Sequence, residues 1–182
     1  MNSWAARSKA GRTADAEAEY KAALKIAPEF APASVNLADL YRQTGRDADG
    51  EAVLRAALAA SPKDAGLHHA LGLALIREKR HEDALGELRK AARLQPENAR
   101  DVYVYAIALD SAGRSAEARQ VLVGALGAHP ENREILTAIV QMSQQAGDLP
   151  SALTYAERLM ALTPDDQDLK RYVEELRRAA GR

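Results

Sequence analysis

Two neighbouring histidines and a cluster of aspartates are the side chains that most readily suggest chemistry. His68 and His69 carry imidazole nitrogens that bind transition metals, and Asp165, Asp166 and Asp168 carry carboxylates suited to calcium or to acid–base work. Adjacent residues on a helix point about 100° apart and cannot converge on one ion, so the histidine pair predicts a structural role. The aspartates precede a helical pattern, where carboxylates favour the helix start, which explains them without a metal.

The other residues capable of catalysis are isolated in the sequence. His81 follows a predicted turn, and His129 falls in the last turn of a predicted helix, where positive charge is favourable and no serine or cysteine is near. The chain has no cysteine, no Gly-rich phosphate loop, no HExxH and no nucleophile elbow. We therefore expect no catalytic residue, no metal and no cofactor, and a protein that is not an enzyme.

Composition restricts the class of partner. A chain of 182 residues with 47% hydrophobic and 28% charged residues is typical of a soluble folded domain. Its 25 basic and 26 acidic residues give a net charge of −1, which argues against nucleic acid and anionic membranes as partners. The sequence has no apolar run of signal-peptide or membrane-spanning length. If Met1 is the native start we expect a cytoplasmic protein; otherwise the compartment stays open.

The elements that position these residues follow a fixed period. Five prolines recur at one constant interval, and a glycine precedes four of them by half of that interval, with Lys79 in the remaining place. The prolines are Pro28, Pro62, Pro96, Pro130 and Pro164, and the glycines are Gly11, Gly45, Gly113 and Gly147. A period of this length with one central and one terminal break indicates stacked pairs of helices. The sequence therefore predicts an all-α solenoid with eleven helices.

Small and large apolar residues recur in register with this period. Ala84, Ala118 and Ala152 share one position, and Leu88 and Leu122 lie one turn further on, so each unit has a stripe for burial.

The breaks predict specific helix ends. Glycine supplies the left-handed conformation that ends the first helix of a unit. We expect side-chain caps of the second helices from Thr13, Asp47 and Ser115, and of the first helices from Asp64, Asn98 and Asn132. Gly124 and Gly127 fall inside one helix, where they indicate close packing or local weakness.

These residues resemble the tetratricopeptide repeat family in their period, their small-residue positions, their turn glycine and their closing proline. The resemblance implies a right-handed superhelical solenoid of antiparallel helix pairs, about five repeats in one domain over residues 1–182. The expected repeats cover residues 1–30 (truncated), 31–64, 65–98, 99–132 and 133–166, with a C-terminal capping helix over 165–180. The first helix of the first repeat would begin before Met1, and Trp4 stands where other repeats have a small residue, so we expect a piece of a longer protein.

The resemblance also implies a binding surface, because in this family the first helix of each pair lines the concave side. Its ligand-facing positions correspond to Val35, Asp39, Arg42, His69, Leu73, Ile76, Arg77, Tyr103, Ile107, Asp110, Thr137, Gln141 and Gln144. Tyr103 is the strongest candidate for an anchor, whereas Leu73 and Ile107 are equally compatible with packing between helices. Some members clamp a partner's terminal carboxylate, but only Asn36, with Asn2, matches that pattern here, which disfavours such a receptor.

The expected function is a non-enzymatic protein–protein interaction module that binds a peptide or helix segment of a partner in its concave groove. Two alternatives stay open. The array could be a structural scaffold that forms homo-oligomers through its uncapped first repeat. It could also be the docking or regulatory part of a larger enzyme, since its alanine- and arginine-rich composition resembles repeat arrays in bacterial multidomain proteins.

Overall fold

A computed structural model describes the backbone of residues 3–181 and the side chains of residues 12–181. Residues 3–181 form ten α-helices and contain no strand, so the predicted all-helical fold of paired helices is confirmed. The predictions that involve Asn2 and the Trp4 side chain fall outside this described part. The helices divide into two compact units, with the boundary in the sequence between Leu94 and Gln95, and each unit is described by itself.

The first unit has five helices joined by short connections. They are α1 (Ser3–Ile26), α2 (Ala31–Gln43), α3 (Asp47–Ala60), α4 (Ala65–Arg77) and α5 (His81–Leu94). Each helix packs on the next, and such short connections make neighbouring helices antiparallel. The core includes Ala84 and Leu54 at the predicted small and large positions, together with Leu71 and Leu75 of α4.

The second unit has the same alternation. Its helices are α6 (Ala99–Ser111), α7 (Ser115–Ala125), α8 (Arg133–Gln145), α9 (Leu149–Leu162) and α10 (Gln167–Ala179). Val140, Ala152, Leu153 and Ala156 form a buried cluster with Val173 and Leu176 of α10. The last helix therefore packs through an apolar face that includes Val173 and Leu176.

The first helix departs from the predicted pattern. α1 continues without a break through Gly11 and Thr13, so the turn and the cap predicted there are wrong, and the described residues form ten helices, not eleven. Glycine permits a helix end but does not impose one, and within a helix it costs only about 1 kcal/mol relative to alanine. The alanines, lysines and glutamates on either side favour continuation.

The central turns use the left-handed backbone conformation. Gly45, Gly113 and Gly147 have φ angles of +73°, +78° and +73°, as the sequence predicts. Lys79 adopts the same conformation with φ of +62°. The repeat thus keeps its turn geometry where glycine is missing, although a side chain with a Cβ atom is strained in this region.

The predicted caps of the first helices are confirmed. The side chains of Asp64, Asn98 and Asn132 accept hydrogen bonds from the backbone N–H groups of Leu67 (2.9 Å), Arg100 (3.1 Å) and Ile135 (3.0 Å).

The predicted caps of the second helices at Asp47 and Ser115 are wrong, because these residues are already the first helical residues of α3 and α7. The N-cap positions belong to Arg46 and Arg114. Their guanidinium groups bind the acidic residues three positions on, Asp49 and Glu117, each at 2.7 Å. An arginine–carboxylate pair thus stands at the start of these helices.

α7 ends at Ala125, so Gly124 lies inside it, whereas the prediction that Gly127 falls in the same helix is wrong. α7 has 11 residues, whereas α3, α5 and α9 have 14. A Cβ atom added at Gly124 would lie more than 4 Å from every described atom outside the helix backbone around it, which excludes close packing as the reason for this glycine. Past Ala125 the chain tightens into i→i+3 hydrogen bonds at Leu126, Gly127 and Ala128. Of the two interpretations, close packing is excluded at Gly124, and local weakness stays a prediction.

Candidate functional site

The two helices that carry the candidate site in the second unit are α6 and α8. Asn98 fixes the start of α6, and its side-chain amide also donates to Asp101 Oδ2 at 3.0 Å. Val102, Ala106 and Leu109 turn one face of α6 into the core. The adjoining face carries Tyr103, Ile107 and Asp110, which are spaced by four and three residues and are all half-buried.

Helix α8 has one face buried in the core and another face exposed. Its buried residues are Ile135, Leu136, Ala138, Ile139, Val140, Met142 and Ser143. Glu134, Thr137 and Gln141 follow one another at intervals of three and four residues and stay partly or fully exposed. The buried face fixes the rotation of α8 about its axis, so this second stripe is held in a defined orientation.

The two exposed faces border an open cleft. α6 and α8 contact each other, and the space beside that contact has a volume of about 440 Å³. It is lined by Tyr103 from α6 and by Arg133, Glu134, Thr137, Ala138 and Gln141 from α8.

The lining suits a peptide. The hydroxyls of Tyr103 and Thr137 and the amide of Gln141 can each donate and accept hydrogen bonds, which matches a peptide backbone. The ring of Tyr103 offers apolar area, and Arg133 and Glu134 supply one charge of each sign.

Sequence reasoning found half of this cleft. Tyr103, Thr137 and Gln141 were expected at a binding surface, and the structure brings them together. Arg133 and Glu134 were missed, although Glu134 shares the three- and four-residue spacing of Thr137 and Gln141. That spacing, extended back to the helix start, was the signal that could have revealed it.

Other predicted residues of the second unit lie elsewhere on the same helices. Ile107 and Asp110 occupy the following turns of α6. Gln144 lies one turn beyond Gln141, and its side-chain carbonyl accepts a hydrogen bond from the Tyr172 hydroxyl of α10 at 2.9 Å. Gln144 therefore also links α8 to the last helix.

The predicted residues of the first unit lie on α2 and α4, which contact each other. All are half-buried or exposed, namely Val35, Asp39, Arg42, His69, Leu73, Ile76 and Arg77. Val35 and Ile76 also pack against the core, so they contribute to stability.

The Asp39 carboxylate accepts hydrogen bonds from Arg42 Nε and Gln43 Nε2, both at 2.7 Å. The bond from Arg42 is the main cause that holds the pKa of Asp39 below its usual range. The carboxylate is thus an ionised, locally paired group on the surface of α2.

The buried histidine of the pair has a structural environment. His68 Nδ1 lies 2.5 Å from Glu87 Oε2, and His68 Nε2 lies 3.0 Å from the carbonyl oxygen of Pro62. Both ring nitrogens are engaged, as a structural role predicts. Burial raises the pKa of Glu87, but hydrogen bonds from Lys90 and His68 outweigh it and leave that pKa below its usual range.

His129 is held in a similar way, because its Nε2 lies 3.1 Å from the carbonyl oxygen of Pro96. Among the side chains of residues 12–181, no three from histidine, aspartate and glutamate gather closely enough to hold a metal ion.

Comparison with known families agrees with the periodicity and the fold. The profile of the tetratricopeptide repeat family matches residues 8–74 and 75–142. The chain belongs to the tetratricopeptide repeat family. No curated protein has a sequence similar enough to count as a relative.

Solved structures share the fold at low sequence identity. The crystal structure of MamA is 21% identical, with a TM-score of 0.69, and the match covers 85% of this chain and 90% of that one. YrrB, described as a tetratricopeptide repeat protein with an unusual peptide-binding site, is 18% identical with a TM-score of 0.68, covering 89% and 84%. A tetratricopeptide repeat protein from Parabacteroides merdae is 17% identical with a TM-score of 0.69, covering 95% and 69%.

None of the helices in residues 3–181 combines the length and the apolar character needed to cross a membrane.

Proposed function

We propose that this protein is a non-enzymatic interaction module that binds a segment of a partner protein in the cleft between α6 and α8. The observation that carries the proposal is that Tyr103, Thr137 and Gln141, each expected at a ligand-facing position, line one open cleft. Membership of a family built for protein–protein interaction supports it. A protein of the same fold, YrrB, is described as having a peptide-binding site, which favours a peptide as the occupant.

Binding would depend on a preformed surface. The Tyr103 ring packs against an apolar side chain of the partner, while Thr137 and Gln141 hydrogen-bond to its backbone. Burial of roughly 400 Å² of apolar surface at about 25 cal/mol per Å² gives a gross gain on the order of 10 kcal/mol. Association costs offset a large part of this gain, so we expect dissociation constants in the micromolar range.

The equivalent face of the first unit is included in the proposed partner surface. Asp39, Arg42, Leu73 and Arg77 are half-buried or exposed on α2 and α4. Leu73 adds apolar area, and the charged residues select partners by complementarity rather than by raw affinity. Substitution of Leu73 by aspartate should weaken binding of any partner that reaches this unit.

Selection from random peptides displayed on phage tests the proposal, because it requires no candidate partner. Peptides enriched on the full chain are synthesised, and their affinity is measured by fluorescence anisotropy. Tyr103→Ala should weaken binding by about tenfold or more, because a central aromatic anchor commonly contributes over 1 kcal/mol.

Tyr105→Ala is the matched control, because it removes the same side chain from the same helix at a position that does not line the cleft. The peptides selected on the wild-type chain should bind Tyr105→Ala with unchanged affinity. Equal affinity for wild type and Tyr103→Ala would contradict the proposed site, and failure to enrich any peptide would contradict the proposed function.

A further inference from the structure

Three ion pairs recur in the chain with the same sequence separation, |i−j| = 29. Glu17 Oε2 binds Arg46 Nη1 at 2.9 Å, and Glu51 Oε2 binds Arg80 Nη1 at 2.9 Å. Arg119 Nη1 binds Asp148 Oδ2 at 3.2 Å. We call these the spanning pairs, because each joins one helix to the start of the next but one: α1 to α3, α3 to α5, and α7 to α9.

The third spanning pair has the opposite polarity. In the first two the acid comes first and the arginine second, whereas Arg119 precedes Asp148. The three pairs occupy equivalent positions, because each has the same offset from the proline that closes its repeat. In the third pair both charges are reversed relative to the first two, so the interaction is still attractive. In the repeat between the second and third pairs, the position equivalent to Glu17 is Leu85, which carries no charge.

Local contacts reinforce each polarity. Arg46 and Arg80 also bind Asp49 and Asp83, each at 2.7 Å. Asp148 instead caps α9, because its Oδ1 accepts a hydrogen bond from the Ser151 backbone N–H at 3.2 Å. The start of each of these three second helices therefore carries a firmly held charge of defined sign.

Apolar packing alone does not distinguish α3, α5 and α7. Leu54, Leu88 and Leu122 are buried at the same repeat position of these helices, whereas α9 has the smaller Ala156 there. If α3, α5 and α7 exchanged places, within one chain or between two copies, each would present a similar apolar face to its new neighbours. Repeat proteins commonly fail in this way, through misassembly and exchange of equivalent elements.

We propose that the reversed Arg119–Asp148 pair is a register signal that disfavours pairing of α7 or α9 with helices of a different repeat, in the same chain or in a second copy. If α7 packed beside the start of α3 or α5, Arg119 would face Arg46 or Arg80. If α3 packed beside α9, Glu51 would face Asp148. Ion pairs near the surface add little stability to the native helix pairing. Their effect is to make a mismatched helix pairing repulsive where the native pairing is attractive. This inference concerns how the chain pairs its own repeats and does not depend on the proposed partner.

Refolding of the full chain tests the signal. Arg119→Glu combined with Asp148→Arg gives the third pair the polarity of the other two. Wild type and variant are unfolded in urea and refolded at high concentration, and the fraction that regains its original size is measured by light scattering after size-exclusion chromatography. We expect the variant to form several-fold more dimers and larger species than wild type at low salt. The excess should shrink near 1 M salt, where the Debye length is only about 3 Å.

The control is Arg119→Ala combined with Asp148→Ala, which loses the same pair and the same cap without restoring a common polarity. If lower stability alone caused association, the two double variants would associate equally, and this result would overturn the proposal. Equal recovery of the original size by wild type and the polarity variant would overturn it as well. A several-fold excess confined to the polarity variant and lost at high salt is the result that the proposal requires.

Discussion

A single lysine holds a backbone conformation that glycine holds at the equivalent turns. Lys79 has a φ angle of +62°, where a Cβ atom costs about 1–2 kcal/mol. Lys79→Gly should remove that strain, while greater freedom of the unfolded chain offsets part of the gain. We predict a net increase of about 0.5–1 kcal/mol in the free energy of unfolding, measured by urea denaturation.

The converse substitution checks the cause. Gly113 has a φ angle of +78° at the equivalent turn of the second unit, so Gly113→Ala should lower the free energy of unfolding by about 1 kcal/mol or more. An unchanged or decreased stability in Lys79→Gly would show that the lysine makes contacts that outweigh the strain.

The Glu87 carboxylate gives the first unit a pH dependence. Hydrogen bonds from Lys90 and His68 hold its pKa below the usual value, so the ionised group stabilises the folded state above the unfolded pKa, and this contribution is lost as pH falls through the folded pKa. Glu87→Gln should lower the free energy of unfolding by about 1–3 kcal/mol at neutral pH.

Urea denaturation at several pH values checks this prediction. The deficit of Glu87→Gln relative to wild type should shrink between neutral pH and the acidic range below the ordinary glutamate pKa. A deficit that stays constant over this range would contradict an ionic origin.

At the residue scale, local chemistry was predictable from the sequence and distant pairing was not. Asp64, Asn98 and Asn132 were expected as caps because a cap bonds to an N–H group two or three residues away. The Glu17–Arg46 and Arg119–Asp148 pairs join side chains far apart in the sequence, so they emerge only when the helices are assembled. Asp47 and Ser115 were misplaced by one residue, because the turn ends at an arginine that the helix accepts as its N-cap.

At the scale of elements, we attribute the short length of α7 to Gly124 in its last turn and to Gly127 just past its end. Gly124 has room for a Cβ atom, and alanine favours helix by up to about 1 kcal/mol. Gly124→Ala should therefore raise the free energy of unfolding by about 0.5–1 kcal/mol and slow amide hydrogen exchange between residues 123 and 129. Circular dichroism and exchange measured by mass spectrometry provide the readouts.

The same substitution at Gly72 is the control with the opposite expected sign. A Cβ atom there would lie 2.6 Å from Leu88 Cγ in the core, so Gly72→Ala should destabilise the protein by about 1–3 kcal/mol. Stabilisation by both substitutions, or by neither, would show that helix propensity and packing do not separate these two sites.

Nine of the ten helices were predictable from the regularly spaced glycines and prolines. α1 is the exception, because it continues through a predicted turn. A turn needs more than a permissive residue, because local helix propensity competes with it. Gly45 and Gly147 end helices that pack on both neighbours, and Gly113 ends α6, which packs on α7, whereas Gly11 lies within one continuous helix.

At the scale of the molecule, the sequence indicated an open array of helix pairs and a surface without catalytic chemistry. Each compact unit has its own buried cluster, and the first helices of each unit present partly exposed residues at ligand-facing positions. The resemblance to the tetratricopeptide repeat family supplied the prediction of which positions are ligand-facing. The cleft itself could not be predicted, because its width depends on how closely α6 and α8 approach.

The most direct test of the proposed binding cleft is the mapping of a selected peptide onto the isotopically labelled full chain by NMR. Titration should shift the resonances of Tyr103, Thr137 and Gln141 together, with one midpoint in the micromolar range. Tyr172 and other residues of α10 that do not line the cleft should shift far less. Saturable shifts that leave these three residues unchanged and cluster elsewhere would contradict the assignment of partner binding to the α6–α8 cleft.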